Sequence, residues 1–177
     1  KLMFSEELLA LGFPVIPASA SIDSINTLSY VVKERFGAGS LSLGLNLSKE
    51  EAIAHSKNLS NPVFQPFVKG EEFSVDIYVS TAGQVKGVVA RKRDLIVNGE
   101  SQITTIIRDA ELEELAEKLA AAIHLQGHAV LQVFKNEYGY IIIECNSRFG
   151  GPSTLSVSRG LDSFYWLIFQ RIMTEKT

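Results

Sequence analysis

The sequence predicts an α+β fold built mainly on antiparallel sheets. Two stretches of extended residues turn back on themselves at residues 81–83 and 136–139, which marks hairpins. Capped helices stand between runs of strand and do not alternate with single strands, as a doubly wound parallel sheet would require. The composition, 46% apolar and 21% charged over 177 residues, is that of an ordinary folded chain.

The elements follow in order. Residues 1–11 carry Leu8, Leu9 and Leu11 and meet Gly12, a helix stop. Pro14 and Pro17 prevent a helix from continuing, and residues 18–26, small and polar, read as a loop. Tyr30-Val-Val-Lys-Glu-Arg35 reads as a strand that enters the glycine-rich stretch Gly37-Ala-Gly-Ser40. Ser48 and Glu51 form a capping box that opens a helix to about Leu59. Residues 62–68 are short and apolar. Residues 72–80 alternate strictly, with Phe73, Val75, Ile77 and Val79 on one face and Glu72, Ser74, Asp76 and Tyr78 on the other. Residues 84–93 complete that hairpin, and a further strand covers 102–107. Asp109 caps a helix whose Leu112, Leu115, Leu119, Ala122 and Ile123 recur at helical spacing. Residues 129–135 and 140–146 form the second hairpin, and Asp162 caps a final apolar helix over 163–172.

Charge and cysteine usage exclude several function classes. Seventeen Lys and Arg against 20 Asp and Glu leave a net charge of −3, which argues against a nucleic-acid partner. No apolar run reaches the roughly 18 residues of a spanning helix and no signal-peptide pattern is present, so no membrane role is expected. The single cysteine, Cys145, rules out a disulfide framework and fits a reducing, cytoplasmic setting. The chain opens at Lys1 and not at Met, which reads as a trimmed fragment.

The strongest chemical signal is the run IIIECNSRFGG from Ile141 to Gly151. Along a strand Glu144, Asn146 and Arg148 share one face. A carboxylate and an amide oxygen suit a magnesium ion that bridges phosphates, and a guanidinium one step further suits phosphate oxygens. Gln132, in the preceding strand of the hairpin, offers a third oxygen. A second signal is Lys33, four residues ahead of the glycine loop, where an ammonium can meet phosphates covered by backbone N–H groups. The Gly-x-x-x-x-Gly-Lys-Ser/Thr spacing of a P-loop is absent. The third is Gln65-Pro-Phe-Val68 with Glu72. Here a strand interrupted by Pro66 either is a plain crossover between lobes or leaves a carbonyl and an N–H for an adenine edge and a carboxylate for a ribose; both readings stay open.

In this order and spacing the three segments resemble the ATP-grasp superfamily, and within it the carbamoyl-phosphate-synthase large-chain group. The resemblance runs from residue 1 to about 160. It implies two α+β lobes with mainly antiparallel sheets clasping ATP. Residues 1–26 would be a helix and linker from an N-terminal domain missing here, 27–68 the small lobe with the glycine loop, and 69–177 the large lobe with the metal site. It further implies that Lys1 and Lys33 meet the nucleotide, that Gly37, Gly39 and Ser40 lie in the loop over the phosphates, and that Gln65, Pro66, Phe67 and Val68 border the adenine. Glu72 would hold the ribose, Gln132, Glu144 and Asn146 the magnesium (Mg2+, with Mn2+ as a substitute), and Arg148 the phosphates. The loop departs from the family's Gly-x-Gly-Ser-x-Gly pattern, with Ser42 at the third glycine position, and Glu34 stands where a proline often follows the lysine.

The implied activity is an ATP- and magnesium-dependent carboxylate–amine ligase that works through an acyl phosphate, with small carboxylates and amines or ammonia as substrates. Lys33, Arg148 and Arg91 are its candidate catalytic cations. Arg91 and Arg93 share one strand face and serve either the γ-phosphate or acid substrate, or form a solvated basic edge; both readings stay open. The alternative is a non-catalytic ATP-binding module in regulation or assembly, and an oligomer is left open. Residues 97–101 are expected near the acceptor. His55 reads as solvated, His124 as a helix-end partner of the dipole, and His128 as lacking a metal-like neighbour. Cys145 reads as a packed small hydrophobe, and Trp166, Phe164, Tyr165 and Phe169 as a core or lobe-interface helix.

Overall fold

The computed structural model describes residues 1–37, 42–97 and 99–174. Five α-helices occur among them: α1 (Leu2–Ala10), α2 (Lys49–Ser56), α3 (Ala110–Ala122), α4 (Ser153–Ser158) and α5 (Ser163–Thr174). The strands are β1 (Tyr30–Glu34), β2 (Gly44–Leu47), β3 (Pro62–Pro66), β4 (Glu71–Val79), β5 (Val85–Val97), β6 (Glu100–Ile107), β7 (Gly127–Asn136) and β8 (Gly139–Asn146). They form a three-stranded sheet in the order β2-β1-β3 and a five-stranded sheet in the order β6-β5-β4-β7-β8. Pairing between neighbouring strands is antiparallel throughout.

Helix boundaries follow local chemistry. At the end of α1, Gly12 has φ +79 and Phe13 N–H donates to the Leu8 carbonyl at 2.9 Å, a glycine-closed C-terminus. The capping box of α2 is complete: Ser48 Oγ accepts from Glu51 N–H at 3.2 Å, and Glu51 Oε2 accepts from Ser48 N–H at 2.8 Å. That helix stops at Ser56, three residues short of the expected end, and Leu59 packs on the small sheet's core instead. Asp109 accepts from Leu112 N–H at 3.1 Å and Asp162 from Tyr165 N–H at 3.0 Å, so both expected caps form. Two elements had no sequence expectation, β2 and α4. The hairpin strand expected over 84–93 extends to Val97.

The small sheet and α2 enclose Ile25, Tyr30, Val32, Ala52 and Phe64. The larger core lies between one face of the five-stranded sheet and α3, with Phe73, Val75, Leu131, Val133 and Ile142 against Leu112, Ala116 and Leu119. Leu8 of α1 joins this core, and the following residues lie along β8, where Ile142 N–H donates to Pro14 O at 2.7 Å.

The opposite face of the large sheet departs from the expected pattern. Ser74, Asp76 and Tyr78 of β4, expected on the polar side, are buried as deeply as their apolar neighbours. Asp76 and Tyr78 lie under α4 and α5: Asp76 bonds to Ser153 and Ser156 of α4, while Tyr78 Oη donates to Gln170 of α5. The aromatic residues of α5 are not a core either: Phe164, Tyr165 and Phe169 are each close to half exposed, and the Lys86 ammonium stands over the Trp166 ring.

Candidate functional site

The uncovered part of this second sheet face carries the chemistry. Gln132 of β7 lies opposite Glu144 of β8, and an irregularity between Gln132 and Val133 lets Ile142 pair with Val133. One extra residue, Ile143, is thereby inserted in β8. Ile142 packs with Val133 and Leu131 in the α3 core, and Cys145 is packed against the same core, whereas Glu144 and Asn146 emerge on the other face. A bulge of this kind re-aims side chains. Without it, Glu144 and Ile142 would share a face, because strand side chains alternate. Asn146 Nδ2 donates to Glu144 Oε1 at 2.7 Å, which leaves the amide oxygen of Asn146 turned out.

Gln132 Oε1 accepts from Arg93 Nη1 at 3.3 Å, and the same nitrogen donates to Glu72 Oε2 at 2.5 Å. Arg93 Nη2 donates to the carbonyl of Gly99 at 2.6 Å, so one guanidinium ties the expected ribose carboxylate, the expected metal amide and the β5–β6 turn together. Arg93 is thus neither edge nor solvated; its side chain is 5% exposed. Asn98, within the expected acceptor segment 97–101, lies outside the described residues.

Arg91 is more deeply buried still, at 1% exposure, on a strand flanked by β4 and β6. Its Nε and Nη2 donate to Asp76 Oδ2 at 2.7 and 2.6 Å, and Nη1 has no hydrogen-bond partner among the described residues. The reading of this strand as a solvated basic edge is therefore overturned: β6 is the edge, and Arg91 neutralises a buried carboxylate. His128, expected to lack a metal-like neighbour, bonds through Nε2 to Asp76 Oδ1 at 3.1 Å and through Nδ1 to Ser163 Oγ at 2.9 Å.

The small sheet presents the cations. Lys33 of β1 is close enough to Glu144 and Lys1 for each charge to act on it. Burial, the largest influence, holds its ammonium below the ordinary lysine range; Glu144 opposes that shift and Lys1 adds to it. Lys1 Nζ donates to the carbonyls of Glu34 and Gly37 at 2.9 and 3.0 Å, closing the far end of β1 over the start of the glycine loop. Glu34 is occupied otherwise: its carboxylate accepts from Asn61 N–H at 2.7 Å and Ser60 N–H at 3.0 Å. Gly39 and Ser40 lie outside the described residues. Ser42 takes φ +58, the left-handed conformation a glycine adopts freely, so the serine keeps the glycine's backbone path at some strain. His55, expected to be solvated, bonds through Nε2 to Ser42 O at 2.8 Å.

On β3, Gln65 is 5% exposed and donates to Ile16 O at 3.4 Å. Phe67 N–H donates to Ser29 O at 2.9 Å, while Val68 N–H has no partner among the described residues, as an adenine-edge donor requires. Arg148 is exposed, its Nη1 donating to Phe149 O at 3.2 Å. Burial pushes the Cys145 thiol up to about 11, with the Glu144 charge adding to it, so no thiolate forms near neutral pH. His124 is the left-handed residue that closes α3, with φ +51.

The donor set fits magnesium. Glu144 supplies one carboxylate and Gln132 and Asn146 neutral amide oxygens, all hard ligands, and the ion's remaining positions suit phosphate oxygens. No cluster of three or more His, Cys, Asp or Glu suited to a metal occurs among the described residues, so no self-sufficient metal cage competes with this arrangement. The sequence alone assigns no site role to Asp76 or His128 and leaves Arg93 open between an anion-facing role and a solvated edge. Glu72 stands opposite Arg93 because the β4–β5 register shifts between Tyr78 and Val79; a regular hairpin around 81–83 would set it opposite Lys92, so the turn carried no legible signal for that pair.

Comparison with known proteins agrees with this fold. The sequence model of a family described as ATP-grasp in the biosynthetic pathway with Ter operon matches residues 59–176. The biotin carboxylase domain of 2-oxoglutarate carboxylase from Hydrogenobacter thermophilus, solved with MgADP, ADP and bicarbonate, is 16% identical, with a TM-score of 0.71 over 87% of this chain and 40% of that one. N5-carboxyaminoimidazole ribonucleotide synthetase from Thermus thermophilus is 18% identical, with a TM-score of 0.69 over 88% of this chain and 47% of that one. D-alanine-D-alanine ligase from Coxiella burnetii is 16% identical, with a TM-score of 0.71 over 97% of this chain and 56% of that one. At these identities the likeness is one of fold, and the chain spans between 40% and 56% of those three. No curated protein sequence matches it.

Proposed function

The chain belongs to the ATP-grasp family, and from that premise we propose that it is the nucleotide-binding part of an ATP- and magnesium-dependent carboxylate–amine ligase of the carbamoyl-phosphate-synthase type. The observation that carries this reading is the β7–β8 register, which gathers Gln132, Glu144 and Asn146 on one sheet face within electrostatic reach of Lys33.

In this reading Val68 N–H and the Pro66 carbonyl take the adenine edge, and Glu72, held by Arg93, takes the ribose hydroxyls. Lys1, Lys33 and Arg148 bring positive charge to the triphosphate, with Gly37, Gly39 and Ser40 in the loop that covers it. Lys33 is poised for this work because its desolvated ammonium gains more from an arriving anion than a hydrated one does. Gln132, Glu144 and Asn146 would hold magnesium, which supplies Lewis-acid polarisation and charge neutralisation between phosphates. The chain's own task is alignment: a carboxylate substrate must meet the γ-phosphate in line, since phosphorylation turns it into an acyl phosphate that an amine or ammonia can attack. Arg93, reaching from the metal amide to the β5–β6 turn, is better placed than the buried Arg91 to sense that substrate. The division into residues 1–26, a small lobe at 27–68 and a large lobe at 69–177 belongs to the same proposal.

The test is ADP release by the full-length protein across a panel of carboxylates and amines that includes bicarbonate with ammonia. Release with one pair, lost on Glu144→Ala with the fold unchanged by circular dichroism, is the expected result. Magnesium-dependent ATP binding with no turnover on any pair would instead assign the chain to a non-catalytic ATP-binding module, and full activity of Glu144→Ala would sink the metal assignment.

A further inference from the structure

Two backbone bonds hold the turn that carries Arg148 locally, Arg148 N–H to the Asn146 carbonyl at 2.8 Å and Ser153 N–H to the Gly150 carbonyl at 3.1 Å. Arg148 itself is exposed, and its only described side-chain hydrogen bond is to the neighbouring carbonyl of Phe149. The turn's side-chain restraint comes from beneath it. Gly150 N–H donates to Ser153 Oγ at 2.9 Å, and that hydroxyl donates in turn to Asp76 Oδ1. Phe149 stacks on the His128 ring at 4.1 Å and on Phe164 at 4.4 Å, and His128 is itself bonded to Asp76. A ring that donates from Nε2 to the carboxylate leaves Nδ1 to accept from Ser163, so one tautomer satisfies both neighbours.

Asp76 is 0% exposed and gathers donors from three elements: Arg91 of β5, His128 of β7, and Ser153 and Ser156 of α4. This is more than charge compensation requires, since the Arg91 guanidinium already engages the carboxylate with two nitrogens. The additional bonds run to the short helix directly after the Asn146–Gly151 turn and to the histidine that supports Phe149. We propose that Asp76 is a positioning residue for the phosphate grip: through Ser153 and through His128 it fixes the turn that carries Asn146 and Arg148. Asp76 touches no substrate in this arrangement and acts only through that turn.

The inference rests on the nucleotide-binding reading above, and its test keeps the two apart. Ser153→Ala removes the link between Asp76 and Gly150 while leaving Arg91, His128 and Ser156 in place. In the ligand-free protein, amide exchange over residues 146–151 should rise, while the β4 amides stay protected. MgATP should bind roughly three- to tenfold more weakly, the loss of one ordering hydrogen bond, and AMP, which lacks the β- and γ-phosphates, as before. In an Arg148→Ala background Ser153→Ala should weaken MgATP by less than it does alone, since only Asn146 is left to be misplaced, and Ser153→Thr should restore both readouts. If Ser153→Ala does not fold, Phe149→Leu loosens the same turn from the His128 side and carries the same measurements. Unchanged exchange in the turn, unchanged MgATP affinity, or a fully additive loss on top of Arg148→Ala would overturn the proposal. Failure of the wild-type protein to bind MgATP would sink the nucleotide reading instead, and the exchange comparison would then decide alone whether Asp76 holds the turn.

Discussion

Single residues set the electrostatic terms of this protein, and Asp76 is the clearest case. Burial alone would raise its carboxyl, but the His128 hydrogen bond, the Arg91 charge and Ser153 outweigh it and hold the group below the ordinary aspartate value of 3.8. A depressed folded-state value means that its contribution to stability is present above the ordinary carboxyl range and is lost as pH falls through the folded value. Asp76→Ala, which strands the Arg91 guanidinium in the interior, should therefore cost about 3–5 kcal/mol at neutral pH, read by urea unfolding. The gap between wild type and variant should narrow in acid, because both chains then lack the carboxylate. A gap independent of pH would show that the carboxylate's charge is not what matters. Lys33 illustrates the opposite balance. Its ammonium is held below the usual range, mainly by burial, and so opposes folding at neutral pH, a cost consistent with selection for anion binding and not for stability.

Among the elements, those with strong local signals stand on local chemistry, and those without are held by tertiary partners. The capping box of α2 is local, lies away from Glu144 and is complete. Ser48→Ala should lower stability by about 1 kcal/mol with MgATP affinity unchanged, measured by urea unfolding and titration calorimetry. Loss of binding in that variant would mean that α2, through His55 and Ser42, steers the glycine loop. In contrast, α4 has the serine-rich sequence STLSVS and no side-chain cap, and exists where Ser153 and Ser156 reach Asp76. β2 is four residues long, with Asn46 at φ +54, and is defined by pairing of Leu47 and Gly44 with β1. The irregularity in β7–β8 does the most for function, because the added Ile143 separates Ile142 in the core from Glu144 on the site face.

Taken whole, the molecule brings Lys33 of the small sheet, with Lys1 near it, beside Glu144 of the large sheet, and the proposed ligand would bridge the two sheets. A ligand that binds only the folded chain stabilises it by mass action. MgATP at a hundred times its dissociation constant should thus raise the unfolding free energy by about 2.7 kcal/mol. The shift should shrink when EDTA removes the metal and vanish for Glu144→Ala. A shift indifferent to EDTA would place the nucleotide without the metal site. The small net charge of −3 is compatible with this, because a few cations, Lys1, Lys33 and Arg35, lie close enough to act on one another.

The sequence by itself determined the hairpins, the caps at Ser48, Asp109 and Asp162, the glycine stop after α1, and the grouping of Glu144 with Asn146. Each depends on neighbours within a few residues, where alternation, capping and turn chemistry act directly. It also pointed to the family through the order of its motifs. Only the tertiary structure decided which polar residues face a site and which are sealed inside. Arg91 and Arg93 read alike in sequence, two apart on one strand, yet one neutralises buried Asp76 and the other joins Glu72 to Gln132. Their fates diverge because α4 and α5 cover one end of the sheet face and leave the other open, and that coverage is a long-range contact which no local pattern encodes.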